Sequence, residues 1–305
     1  LENEASEQLE GIYGWKPDGE FSSASGYPAV STIDEAKKTR EALERYADEE
    51  NEIGVPAKDA REKLVRETAF TWLNRFVALK MMEERHLLKT TISRLHESAA
   101  YSFWLADEVD PEAEALDKAG ELPVNAMGEG PRNIAYRRFI LWQCRNLARD
   151  VSVLFDPDDL PSRLFPRSAV FKNLMDSMNS EGLVEVWKVG NEETVGWVYQ
   201  GFNVEEKEFV KAGFKKGIKI TAEGIGPFTG TYTPSWIVKK LVENSVGAFW
   251  LEMHPDSRLI EKMNYWVPQT SIVNRKSRLA KDISFLDPAC GSMHFGLVAF
   301  DIFFE

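Results

Sequence analysis

Between residues 57 and 88 apolar side chains return at helical intervals: Val65, Ala69, Trp72, Phe76 and Leu79 form a stripe that Leu73 and Val77 widen. That spacing predicts a long helix at the centre of a first core, with Trp72, Phe76 and the Met81-Met82 pair as packing residues. Asn74 and Arg75 sit beside the stripe, and polar groups placed there need a hydrogen-bond or ion-pair partner once buried. Upstream, a helix is predicted from Ser31 or Thr32 through Glu50, with Asp34 and Glu35 in its first turn and a charged, solvated face. Gly54, Val55 and Pro56 separate the two. Downstream, residues 107–131 read as a short helix and a loop, followed by a helix over 133–150. Ile140, Cys144, Leu147 and Val151 share one face of that helix, and Arg138, Arg145 and Arg149 share another. Further helices are predicted at 167–178, 193–200 and 205–214. No strand pattern of convincing length precedes Lys215.

Composition divides this pattern. Residues 1–30 mix Gly, Ser and Pro with scattered aromatics and predict an irregular acidic segment. Residues 31–214 predict a mainly helical domain. At 215 lysines, glycines and β-branched residues begin to cluster, and 215–305 predict the start of an α/β domain. The chain carries a net charge of -12, of which Leu1 to Lys63 hold 16 acidic and 8 basic residues. The acid is thus concentrated at one end, so overall charge neither favours nor excludes DNA as a partner. The Arg138, Arg145 and Arg149 stripe is the strongest basic feature. It reads either as a solvated surface with ion pairs or as a contact to a DNA backbone. Apolar runs such as Gly296 to Phe300 fall far short of the roughly 18 residues of a membrane span. The acidic N-terminus lacks the basic start of a secretory signal, which leads us to expect a cytoplasmic protein without a membrane partner. Cys144 and Cys290 make no disulfide framework, and the four histidines show no zinc-ligand spacing.

Two motifs carry chemistry. In ISFLDPACGSMHFGLVAF, the apolar Ile283, Phe285 and Leu286 predict a short strand ending at Asp287, then a tight turn, then a helix. Such a junction suits a nucleotide-like ligand. Gly291 lets the backbone approach it, amides at the helix start face it, and the carboxylate accepts from a ligand amine. In GPFTGTYTPSWIVKKLVENSVG, Thr233 is placed to cap a helix with Pro234 at its first position, and Ile237, Val238, Leu241 and Val242 form the buried stripe. Tyr232 reads equally well as a packed aromatic.

DPACGS after an apolar segment resembles the cofactor loop of DNA adenine methyltransferases, and the continuation SMHFGLVAFD is similar to the variant in the BREX phage-defence enzymes. The usual pattern is DPACGSG with a phenylalanine one residue later. Here Met293 stands at the last glycine, which puts the close backbone approach at that position in doubt. ETAFTWLNRFVALKMMEE and ETVGWVYQGFNVEEKE also resemble the N-terminal region of those enzymes. The resemblance implies a Rossmann-like domain that binds S-adenosylmethionine and a parent enzyme that methylates the exocyclic amine of adenine in a restriction or phage-defence system. Its partners would be DNA and other defence-system proteins. Carried over position by position, it implies cofactor contacts at Thr231, Tyr232, Thr233 and Pro234, and at Asp287, Pro288, Ala289, Cys290, Gly291, Ser292 and Phe295. The Thr-Pro element precedes Asp287 by 54 residues, counted from Thr233. That order resembles the gamma arrangement of amino-methyltransferases.

Methylation of adenine also needs an Asn or Asp followed by Pro-Pro and an aromatic residue, to accept hydrogen bonds from the amine and stack on the flipped base. The chain contains no Pro-Pro dipeptide. The expectation is a truncated N-terminal portion of the enzyme with no catalytic residue of its own and no activity alone. Three alternatives stand beside it. A helical module could bind DNA or a protein and carry an incomplete cofactor subdomain. A nicotinamide-dependent fold would want the G-x-G-x-x-G fingerprint that is missing here. Cys290 could act as a nucleophile beside His294, although a small apolar role in the loop suffices to explain it.

Overall fold

The computed structural model describes residues 1–268, 275–291 and 293–305. Its secondary structure is helical. Among the described residues no β-strand forms, and the pairing of Trp15 with Phe21 is an isolated antiparallel bridge. By internal contacts the chain divides into two units, Leu1–Val189 and Gly190–Glu305.

The N-terminal unit is built around the helix Ala57–Glu84. Trp72, Phe76, Val77 and Leu79 are buried as their spacing requires. The helix also buries polar residues, Arg61, Thr68, Arg75, Lys80 and Glu83, so it is covered well beyond one apolar stripe. Arg61, Thr68 and Arg75 recur every seven residues and therefore lie along one line of the helix surface. The charges among these groups are answered by loops and, for Lys80, also by Glu84 one turn on at 2.7 Å. Arg61 Nε donates to the Trp15 carbonyl at 3.0 Å. Glu83 Oε2 accepts the backbone N–H of Thr91 at 3.1 Å and of Ile92 at 3.0 Å. Lys80 Nζ reaches Ser93 Oγ at 2.6 Å and Asn179 Oδ1 at 2.8 Å.

Arg75 is the most committed of them. Fully buried, it donates to the Leu154 carbonyl at 2.8 Å, to Ser162 Oγ at 2.6 Å, and through Nη2 to the Asp156 carbonyl at 2.6 Å and Asp159 Oδ2 at 2.7 Å. Beside it Trp72 Nε1 donates to the Pro161 carbonyl at 2.9 Å. The segment around residues 154–162 thus has several of its polar groups anchored on one helix, as buried backbone carbonyls require.

The first thirty residues differ from the irregular segment expected. Glu2–Gly11 is a helix. Tyr13 and Trp15 are fully buried, and Trp15 stacks on Phe21 at 4.8 Å. The glycine-rich composition hid anchors made to distant chain. Arg40 bonds the Tyr13 carbonyl and, at 2.9 Å, the Ser22 carbonyl, while Gln8 Nε2 donates to the Phe165 carbonyl at 2.8 Å. Glu4 accepts from Arg167 through both carboxylate oxygens, each at 2.7 Å. Burial alone would raise the Glu4 carboxyl, but the bonds and charge of Arg167 hold it below its ordinary value.

In the C-terminal unit the helices Thr194–Phe202 and Val204–Lys215 are followed by Ala222–Thr229, which packs on the second of them. The helix Ser235–Val242 continues through a π turn, Glu243–Gly247, into Ala248–Met253. His294–Phe304 packs on Ser235–Val242, and Val238, Val242 and Ala299 form the buried centre of that contact. No described helix is long and apolar enough to cross a membrane.

The strand expected at residues 283–286 is not formed, and a Rossmann-like start is therefore absent from the described fold. An extended segment becomes a strand only when neighbours take up its N–H and C=O groups. Leu286 instead stands 85% exposed.

Replacing Arg75 with Met leaves four acceptors without their donor in a closed interior. Arg75→Met is expected to destabilise the N-terminal unit by about 3 kcal/mol in urea unfolding of the 305-residue chain. Arg75→Lys keeps the charge but not the planar fork, and is expected to fall between wild type and Met.

Candidate functional site

Asp287 Oδ1 accepts the Ala289 backbone N–H at 3.0 Å, a side-chain turn of the kind short carboxylates favour. The turn carries Pro288, Ala289, Cys290 and Gly291 to the surface. The second oxygen, Asp287 Oδ2, is buried and has no hydrogen-bond partner among the described residues. Gly291 takes φ +50°, a backbone that glycine adopts without strain. Ser292 lies outside the described residues. Met293 N–H closes the turn on the Cys290 carbonyl at 2.7 Å, and Met293 itself is left-handed at φ 61°, ψ 25°. The residue that replaces the usual glycine therefore keeps a backbone that glycine would favour, and its thioether lies over Gly296, where a Cβ would meet the Met293 methyl at 2.4 Å.

The Thr-Pro turn begins one residue later than its sequence indicates. Pro234 is the N-cap, with ψ 139°, the helix starts at Ser235, and no side chain caps it. Thr233 thus lies just ahead of the cap, because the extended backbone at Pro234 postpones the first helical residue. Tyr232 N–H is accepted by Gln200 Oε1 at 2.9 Å. Lys207 Nζ donates to the Gly230 carbonyl at 2.9 Å and to Thr231 Oγ1 at 3.1 Å.

The two motifs meet through His294. Its ring stacks on Tyr232 at 4.6 Å between centroids and 11° between planes. Tyr232 also lies 5.7 Å from Trp197 and so close to Gly196 that a Cβ there would come within 1.7 Å of the ring. His294 is 7% exposed, with Nε2 3.9 Å from Glu193 Oε1 and Nδ1 buried without a hydrogen-bond partner among the described residues. Burial lowers its pKa. Glu193, the Thr233 backbone and Glu192 oppose that shift, and Lys239 adds to it. Phe295, partly buried, packs against the Val238, Val242 and Ala299 cluster. Cys290 is exposed, whereas His294 is enclosed by Tyr232 and Glu193, an arrangement that gives the histidine work other than activating a thiol.

Sequence reading passed over Gly196, Gln200, Lys207 and Glu193 as ordinary helix residues. The one available signal was the glycine in ETVGWVYQGF, which marks a close approach inside a helix. In the N-terminal unit, Arg138 Nη1 lies 3.1 Å from both Asp110 Oδ2 and Glu112 Oε2, so its charge is locally answered. Arg145 and Arg149 are exposed, and Arg149 lies beyond the end of the helix Pro131–Leu147.

Comparison with known proteins adds lineage to this geometry. The chain is 32% identical over 268 residues, 80% of its length, to the adenine-specific methyltransferase BrxX of Escherichia coli O9:H4 (strain HS), of which it covers 21%. It is 31% identical over 276 residues, 81% of its length, to the adenine-specific methyltransferase PglX of Lacticaseibacillus casei (strain Zhang), of which it covers 22%. Over about four fifths of its length the chain is similar to these two proteins, both named as adenine-specific methyltransferases. It spans about a fifth of the length of these relatives. No protein-family model matches it.

Because His294 is held neutral by burial, its folded pKa lies below the ordinary 6.5. The stability it allows is complete above 6.5 and is lost as pH falls from there through the lowered value, since the unfolded chain takes up the proton first. Tyr232, Glu193, Glu192 and Lys239 surround it, and Glu193 limits the loss without reversing it. Relative to the intrinsic exchange rate at each pH, protection of amides in the C-terminal unit is expected to fall over that interval in wild type, and to do so less in His294→Gln.

Proposed function

We propose that this chain holds the amino-acid end of S-adenosylmethionine for an adenine-specific DNA methyltransferase acting in a phage-defence or restriction system in the cytoplasm. The observation that carries the proposal is the uncommitted oxygen of Asp287. One carboxylate oxygen shapes the turn, and the other is buried with no donor among the described residues. A buried acceptor of that kind is costly unless something donates to it, and the ammonium of the cofactor's methionine end is a fitting donor. Thr231, Tyr232, Thr233 and Pro234 would hold the cofactor from the neighbouring turn, with Pro288, Ala289, Cys290, Gly291 and Ser292 lining the loop. The lineage of the chain, with relatives named as adenine-specific methyltransferases, supports the same reading.

When bound, the sulfonium of S-adenosylmethionine supplies an activated methyl group. The residues here would bind and orient it. Asp287 would fix the ammonium, and the neighbouring Thr-Pro turn would meet the carboxylate. The Asn/Asp-Pro-Pro-aromatic set that presents adenine is not in these 305 residues. The chain is therefore assigned cofactor binding and not methyl transfer, with residues 215–305 contributing to the Rossmann-like domain of the whole enzyme. DNA is the substrate of that enzyme, and on this chain Arg145 and Arg149 are better placed than the ion-paired Arg138 to meet a phosphate.

Isothermal titration of the chain with S-adenosylmethionine tests the proposal. Binding is expected in wild type and should weaken at least about tenfold in Asp287→Asn, which removes the charge while keeping the size. Equal affinity in the two proteins would refute the assignment of Asp287.

A further inference from the structure

The turn between the helices Ala222–Thr229 and Ser235–Val242 is held by side chains from earlier in the same unit. Gln200 Oε1 takes the Tyr232 N–H, and Lys207 Nζ sits against the Gly230 carbonyl and the Thr231 hydroxyl. The lysine is the more telling of the two. An ammonium usually answers a carboxylate, yet here its contacts include a carbonyl at 2.9 Å and a hydroxyl at 3.1 Å in the turn assigned to the cofactor.

That contact dictates how Thr231 behaves. A hydroxyl has one hydrogen and two lone pairs. Lys207 has no acceptor capacity, so Thr231 Oγ1 receives its N–H on a lone pair and keeps its own O–H for another acceptor. The neighbouring cation also polarises that O–H and strengthens it as a donor. Thr231 is exposed, so the hydrogen is available to a ligand.

We infer that Lys207 is a positioning residue for the methyl-donor site: it fixes the Thr231 hydroxyl as a donor to the carboxylate of the cofactor's amino-acid end. The inference rests on the cofactor reading given under Proposed function and extends it to a residue outside both motifs. The division of labour is chemical. Asp287 takes the ammonium, and the Lys207 and Thr231 pair takes the carboxylate, so the two ends of one zwitterion are read by opposite charges.

The test compares S-adenosylmethionine with its decarboxylated form, which keeps the sulfonium, adenosine and amine but lacks the carboxylate. Titrated into the full 305-residue chain, Lys207→Met is expected to weaken S-adenosylmethionine about tenfold and to leave the decarboxylated form unchanged. Thr231→Val should reproduce that selectivity, and the double variant should lose no more than either single, because the two act as one unit. Lys207→Arg should restore most of the affinity. Thermal unfolding checks that each variant folds. Equal weakening toward both ligands would make Lys207 a structural prop and overturn the inference, as would no weakening toward either. Wild-type chain that binds neither ligand would overturn the cofactor reading itself, a result separate from both of these.

Discussion

The Tyr232 ring packs against His294, Trp197 and Gly196, and the arrangement of the C-terminal unit follows from that contact. The two motifs are 54 residues apart in the chain, counted from Thr233 to Asp287, and no sheet forms among the described residues to bring them together. A flat aromatic stack at 4.6 Å does so, reinforced by the apolar contact of Val238 and Val242 with Ala299. Stacked rings of this kind contribute modestly beyond the area they bury. Their value here is geometric, because Tyr232 and His294 each sit inside a motif, and fixing one ring against the other fixes one turn against the other.

The N-terminal unit solves a related problem with charge. A helix covered on more than one side must either be apolar all round or satisfy each polar group it buries. Ala57–Glu84 takes the second course, and its Arg61, Arg75, Lys80 and Glu83 reach into loops that would otherwise have buried carbonyls and amides without partners. Such groups make the fold specific, since any displacement of the loop would leave a buried charge unpaired.

Most helices were legible in the sequence because their apolar positions recur at the helical period. Trp72, Phe76 and Leu79 are buried where the pattern puts them, and Arg75 has the partners its position beside the stripe demanded. The N-terminal helix was hidden because its anchors are long-range. Glu4 meets Arg167 and Gln8 meets the Phe165 carbonyl, pairings with no local signature. The strand at residues 283–286 was read from apolar content alone, which cannot reveal whether a neighbouring strand exists to pair with it. At the candidate site, the DPACGS letters directed attention to Asp287 and Gly291, yet Lys207 and Gln200 escaped notice. A lysine on a charged helix has the same appearance whether it faces water or a carbonyl, and only coordinates distinguish the two.

The chain thus emerges as two helical units similar to part of BrxX and PglX. In the second, a carboxylate with one oxygen unpartnered among the described residues and a turn braced by a lysine belong to elements that one aromatic stack brings into contact. The central claim is that these two turns serve a single ligand. Amide chemical-shift mapping of the isotope-labelled chain on addition of S-adenosylmethionine tests it most directly. The account expects Thr231, Tyr232 and Thr233 to move together with Asp287, Ala289 and Gly291 along one titration curve. Shifts confined to one of these turns, or confined to the unit Leu1–Val189, would contradict it.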